Sequence, residues 1–185
     1  MKDILVIHPI DPTTDCLCTI YADRQDCDVI RNPLTSSEEI ASAIQNYSKI
    51  LMLGHGTGEG LLACAGGYRF GRYIIDGIHK QLLANSDKQV WSIWCNSDVY
   101  FRTIPGKRTG IHTSMIISEL SEEFYILGKA PLSVVALEQN MKLFSEAFRD
   151  NIDFDNPEAA QQHILDTYQG NDEVTLYNRE KILVF

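Results

Sequence analysis

No stretch of this chain approaches the roughly 18 to 20 consecutive apolar residues that a membrane-spanning helix needs, so no membrane partner is expected. The opening Met1-Lys2-Asp3 runs into a strand-like segment without a signal-peptide layout, and a cytoplasmic location is expected. Basic residues are few. With 16 Lys and Arg against 25 Asp and Glu and a net charge of -9, there is no cationic cluster of the kind that grips phosphate backbones, and no nucleic-acid partner is expected.

The five cysteines (Cys16, Cys18, Cys27, Cys64 and Cys95) are odd in number and contain no CxxC pair. Neither a disulfide framework nor a zinc ribbon is signalled, and no metal site is expected. A GxSxG elbow is missing, as are the lysine and hydroxyl of a P-loop and the GxGxxG spacing of a dinucleotide fold, so no cofactor is expected. Repeats and low-complexity tracts are absent as well. At 185 residues and 44% hydrophobic content, residues 1–185 read as one domain with a substantial core.

What is present centres on Lys49 to Gly60, KILMLGHGTGEG. Ile50 to Leu53 is continuously apolar, as a central strand covered on both faces requires. Glycines 54, 56, 58 and 60 then free backbone amides at the strand's carboxyl end, where open α/β sheets place their chemistry, and His55 stands among them. A second junction of the same kind is Gln89 to Asp98, QVWSIWCNSD, a β-rich run that ends on Cys95 and the turn residues Asn96, Ser97 and Asp98.

Further strands are read at Lys2–His8, at Asp26–Asn32 and at Thr109–Ser118. Thr13–Gln25 is read as a loop with room for a short helix at Asp15–Arg24, and helices are read from Ser36 or Ser37 with Ile40, Ala43, Ile44 and Tyr47 on one face, at Arg72–Asn85 as the crossover into the Cys95 strand, at Glu119–Leu127, at Ser133–Ile152 and at Glu158–Gln169. Leu61–Phe70 reads as a hairpin around Ala65-Gly66-Gly67, Val99–Pro105 as a loop, and Glu173–Phe185 as a terminal hairpin. The resulting fold class is α/β: a three-layer sandwich with a mainly parallel sheet, its five strands in the order 2-1-3-4-5.

A cysteine attacks as its thiolate, which at neutral pH calls for an adjacent base, and His55 is read as that base. Taken singly, a strand cysteine is a small hydrophobe and a loop histidine a turn residue; it is their joint position at two strand ends that points to chemistry.

LMLGHG (Leu51 to Gly56) and SIWCNSD (Ser92 to Asp98), on a sheet of this order, resemble the caspase-like cysteine peptidases, which include caspases, metacaspases, gingipains, separases and CHAT-domain proteases. The resemblance covers roughly the first 120 residues. It implies a His/Cys dyad hydrolysing peptide bonds, with His55 as general base and acid, Cys95 as nucleophile, Gly56 as an oxyanion donor, and a peptide or protein as substrate. Many metacaspases and paracaspases carry an acidic residue just before the cysteine that helps read a basic side chain, where this chain has Trp94; an acidic pocket rebuilt from Asp98 or Glu119 is expected instead, with Trp94 beside it in substrate binding. The competing expectation is an inactive caspase-like or flavodoxin-like module holding a small anion or a protein partner on the GHGTGEG amides.

Overall fold

The computed structural model describes residues 2–63, 72–85, 87–106, 110–128 and 133–185. Apolar runs make the central strands because both of their faces are covered. In β1 (Ile4–Ile7), Ile4 and Val6 face one core while Leu5 and Ile7 face another. After a 3-10 turn at Asp15–Ile20 come β2 (Cys27–Ile30) and α1 (Ser37–Asn46), the latter opened by a Ser36/Glu39 capping box. In β3 (Lys49–Leu53), Leu51 and Leu53 join the first core and Ile50 and Met52 the second.

Three short antiparallel strands, β4 (Gly56–Thr57), β5 (Gly60–Leu62) and β6 (Tyr73–Ile75), form a separate sheet. A 3-10 turn at Gly77–His79 and α2 (Lys80–Leu83) lead to β7 (Gln89–Ile93), α3 (Ser97–Arg102) and β8 (Ile111–Thr113). Then follow α4 (Leu120–Leu127), α5 (Val134–Asn151), α6 (Pro157–Thr167), α7 (Glu173–Glu180) and β9 (Ile182–Val184).

The main sheet has six strands in the order β2-β1-β3-β7-β8-β9, parallel except for β9, which runs antiparallel to β8 at the edge. The first core packs α5, α6 and the 3-10 turn at Asp15–Ile20 on one face; the second packs α1, α2 and α3 on the other. Among the described residues no helix is long and apolar enough to cross a membrane.

Several local readings are corrected. Glu173–Phe185 is helix α7 followed by strand β9, because Asp172 caps the helix by accepting the Thr175 N–H at 2.8 Å and Val174, Thr175 and Asn178 then fall on one buried face. The crossover is no helix over Arg72–Asn85: Tyr73–Ile75 pairs with β5, and Asp76 and Gly77 break the chain before α2. Val99–Pro105 is not all loop, since α3 reaches Arg102; the short helix read at Asp15 is present as a 3-10 turn that stops at Ile20. The Thr109–Ser118 strand shortens to Ile111–Thr113, which places Glu119 at the head of α4 and not at a strand end. The turn at Ala65-Gly66-Gly67, Cys64 and Thr109 lie outside the described residues.

Candidate active site

Register places the two residues of interest level with each other. Leu53 of β3 pairs with Ile93 of β7, and the Gly54 N–H donates to the Ile93 carbonyl at 3.1 Å. His55 and Cys95 each follow that pair by two residues, so both leave the sheet at its carboxyl edge on adjacent parallel strands. Gly54 makes the departure with φ of 138°, a region closed to most side chains. Asn96, with φ of 64°, turns the chain from Cys95 into α3; asparagine tolerates that left-handed backbone better than most residues.

The turn at Cys95 is pinned from below. The Ser97 hydroxyl lies 2.9 Å from the carbonyls of Ser92 and Thr113 and accepts the Thr113 N–H at 2.8 Å, while the Thr113 hydroxyl donates to the Trp94 carbonyl at 2.9 Å. Ser92, Ser97 and Thr113 are all fully buried. Trp94 is fully buried too, its indole N–H donating to the Thr57 carbonyl at 3.1 Å. Its ring lies directly under Gly56, where an added Cβ would stand 2.1 Å from Trp94 Cδ1. Glycine at 56 thus lets the histidine loop rest on that ring.

His55, Gly56, Cys95, Asn96, Glu119 and Glu122 line one cavity of about 570 Å³. His55 and Cys95 also face a narrow gap beside it, bounded by Thr13, Cys16 and Gly54. Of the residues read from the sequence, the structure therefore brings together His55, Gly56, Cys95 and Glu119. Trp94 and Asp98 do not line this cavity. Trp94 supports it from beneath, and Asp98, 7% exposed, points its Oδ2 at Arg102 Nε across 3.5 Å within α3.

Two participants went unread. Thr13, in the loop after β1, brings its Oγ1 to 2.6 Å from His55 Nε2. The Thr13 hydroxyl hydrogen goes to Asp11 Oδ1 at 2.7 Å, so Thr13 accepts from the imidazole and a neutral His55 carries its lone pair on Nδ1. Glu119 Oε1 is 3.4 Å from the same Nε2. A base held in one tautomer by a third group is the arrangement that nucleophilic catalysis uses. The DPT sequence, Asp11 to Thr13, signals a turn, with Asp11 Oδ1 also accepting the Thr13 N–H at 2.9 Å, but nothing in it announces a contact with residue 55.

The second is Glu122. Its Oε2 accepts from Ser118 N (2.8 Å), Ser118 Oγ (2.9 Å) and Glu119 N (3.0 Å), closing the first turn of α4 in the manner of a capping box. The glutamate three positions after the N-cap Glu119 was the signal available for it. The other oxygen, Oε1, stands 3.6 Å from Cys95 Sγ, and the Ile116 carbonyl lies 3.5 Å from the same sulfur. Burial, followed by the Glu122 carboxylate, pushes the Cys95 thiol up to about 12. In this state Cys95 is a protonated hydrogen-bond donor.

No group of side chains suited to hold a metal occurs among the described residues. No protein-family model matches the chain, and no curated protein sequence matches it.

Proposed function

We propose that this chain is a caspase-like cysteine endopeptidase in which His55 and Cys95 act as a dyad on peptide substrates. The observation that carries the reading is the paired departure of His55 and Cys95 from adjacent parallel strands into one cavity. On substrate binding the Cys95 sulfur bonds to the peptide carbonyl carbon, its proton passes to His55, and the carbonyl π pair moves onto oxygen, where the Gly56 N–H is the proposed donor. Collapse breaks the C–N bond as His55 returns the proton to the leaving amine. Water then hydrolyses the thioester by the same route. The acidic wall of Glu119 and Glu122 favours arginine or lysine before the scissile bond.

A panel of fluorogenic peptides varied only at that position tests the proposal. Cleavage after arginine or lysine is expected, falling about a thousandfold or more in Cys95→Ala and His55→Ala. Preference for aspartate contradicts the specificity, and absence of cleavage across the panel overturns the peptidase reading. The second reading, a non-catalytic binding module, draws on the protonated, buried state of Cys95. Peptide binding without turnover would favour it.

A further inference from the structure

The cysteine of the proposed dyad is held as a thiol first by burial and then by a carboxylate that is itself fixed in place. Two acceptors face the Cys95 thiol, the Ile116 carbonyl at 3.5 Å and Glu122 Oε1 at 3.6 Å. Ionising the sulfur would set an anion against the Glu122 carboxylate in a largely water-excluding site, with Glu119 contributing further negative charge. Glu122 cannot swing aside at little cost, because its other oxygen is fixed by three donors from Ser118 and Glu119. The remaining groups around the sulfur are His55 from the loop after β3, Tyr177 of α7 and Cys16 across the narrow gap. None of these brings a permanent positive charge.

We propose that Glu122 gates the nucleophile: it keeps Cys95 as a thiol until a cationic side chain of the substrate enters the cavity, pairs with Glu122 and Glu119, and so allows the sulfur to pass its proton to His55. This inference rests on the reading of Cys95 as nucleophile and adds a role for the substrate's own charge. The cavity of about 570 Å³ has room for an alkylguanidinium beside the reacting carbonyl. A guanidinium presents its donors as a fork that matches carboxylate oxygens, so the same contact that selects the substrate removes the charge opposing the thiolate. Glu122 is in this sense a positioning residue, acting through Cys95 and the bound cation.

The test needs no peptide cleavage. The rate at which iodoacetamide modifies Cys95, located by peptide mapping, is measured near neutral pH with and without agmatine, an alkylguanidinium that also carries a terminal ammonium, and with butylurea as an uncharged analogue of its guanidinium half. Each unit by which the thiol's pKa falls raises the rate about threefold to fourfold, once the lower nucleophilicity of the more acidic thiol is counted. Agmatine is expected to accelerate modification by at least that factor and butylurea to leave it unchanged. Glu122→Gln retains an oxygen for the α4 cap; it is expected to react faster than the unmodified protein without agmatine and to be insensitive to it. Ultraviolet titration of thiolate, taken as the difference between the protein and Cys95→Ser, reads the same shift with no reagent entering the cavity.

A titration unmoved by agmatine in the unmodified protein overturns the gate, as does equal acceleration in Glu122→Gln; should that variant fail to fold, the agmatine titration decides alone. A protein that passes while cleaving no peptide keeps the gate and loses the peptidase reading. One that cleaves peptides while its Cys95 titration ignores agmatine keeps the peptidase and loses the gate.

Discussion

Thr13 Oγ1 stands 2.6 Å from His55 Nε2 although 42 positions separate the two residues in the chain. Asp11, Thr13 and His55 form a line that ends on the imidazole, with the aspartate fixing the direction of the threonine hydroxyl. Thr13→Val keeps the shape and removes the acceptor. Peptide cleavage is expected to fall on the order of tenfold to a hundredfold, as for other losses of catalytic positioning, with the loss in kcat and little change in KM. Nitrogen-15 NMR of the imidazole checks the cause: the neutral ring is protonated at Nε2 in the unmodified protein, and that preference weakens in Thr13→Val.

Gly56 and Gly58 look alike in the sequence and differ in what surrounds them. A Cβ at Gly56 would meet the Trp94 ring at 2.1 Å and the Gly60 carbonyl oxygen at 2.6 Å, and the latter is backbone. One at Gly58 would meet only the Val99 side chain, nearest at 2.8 Å, and Val99 is exposed and can turn away. Gly56→Ala is expected to cost about 2 to 3 kcal/mol, the upper part of the range for overpacking, and Gly58→Ala less than about 1 kcal/mol. Urea midpoints of the two variants settle the ranking.

The parallel sheet was legible because burial on both faces leaves a mark that needs no partner to be read: Ile4 to Ile7 and Ile50 to Leu53 are apolar without interruption. The positions of His55 and Cys95 at strand ends follow from where those runs stop. Segments whose state is decided by their neighbours were not legible in the same way. Val174 to Tyr177 has the β-branched and aromatic look of a strand, yet Asp172 caps it into a helix. Tyr73 to Ile75 carried apolar residues that fit a helical face and instead completes the small sheet beside β5. Thr13 and Glu122 reach the site through tertiary contacts across long stretches of chain, and a local pattern cannot encode those.

His8 makes stability depend on acid. The side chain is fully buried at the end of β1, with Nδ1 3.0 Å from the Tyr21 hydroxyl, and burial followed by the Arg31 guanidinium pushes its pKa down from 6.5 to about 4. Between those values the unfolded chain binds a proton that the native protein refuses, so stability is fully present above about pH 6.5 and is lost as pH falls toward 4. The loss amounts to about 3 kcal/mol over that window. Asp26, Asp28, Glu39, Asp150 and Asp155, all lowered by hydrogen-bonding partners, lose their contributions further into acid and do so equally in a His8 variant. Urea unfolding at a series of pH values should show a shallower slope between pH 6.5 and 4 in His8→Asn than in the unmodified protein.

The segment that carries Glu119 and Glu122 is held from the opposite end of the chain. Asn178 of α7 is fully buried and treats Ile117 as a neighbouring strand would, its Oδ1 accepting the Ile117 N–H at 2.7 Å and its Nδ2 donating to the Ile117 carbonyl at 2.9 Å. Removing the amide in Asn178→Ala leaves two buried backbone groups without partners, each costing about 1 to 3 kcal/mol. A total loss of about 2 to 5 kcal/mol is expected, after allowance for some relaxation of the site. The effect reaches the candidate active site because Ile117 lies between Ile116, whose carbonyl faces the Cys95 sulfur, and Ser118, whose amide and hydroxyl hold Glu122. Hydrogen exchange at the amides of residues 117, 118 and 119 should therefore quicken in Asn178→Ala by more than at β1. Uniform acceleration across the molecule would mean that Asn178 supports the fold as a whole and has no particular hold on the carboxylates beside Cys95.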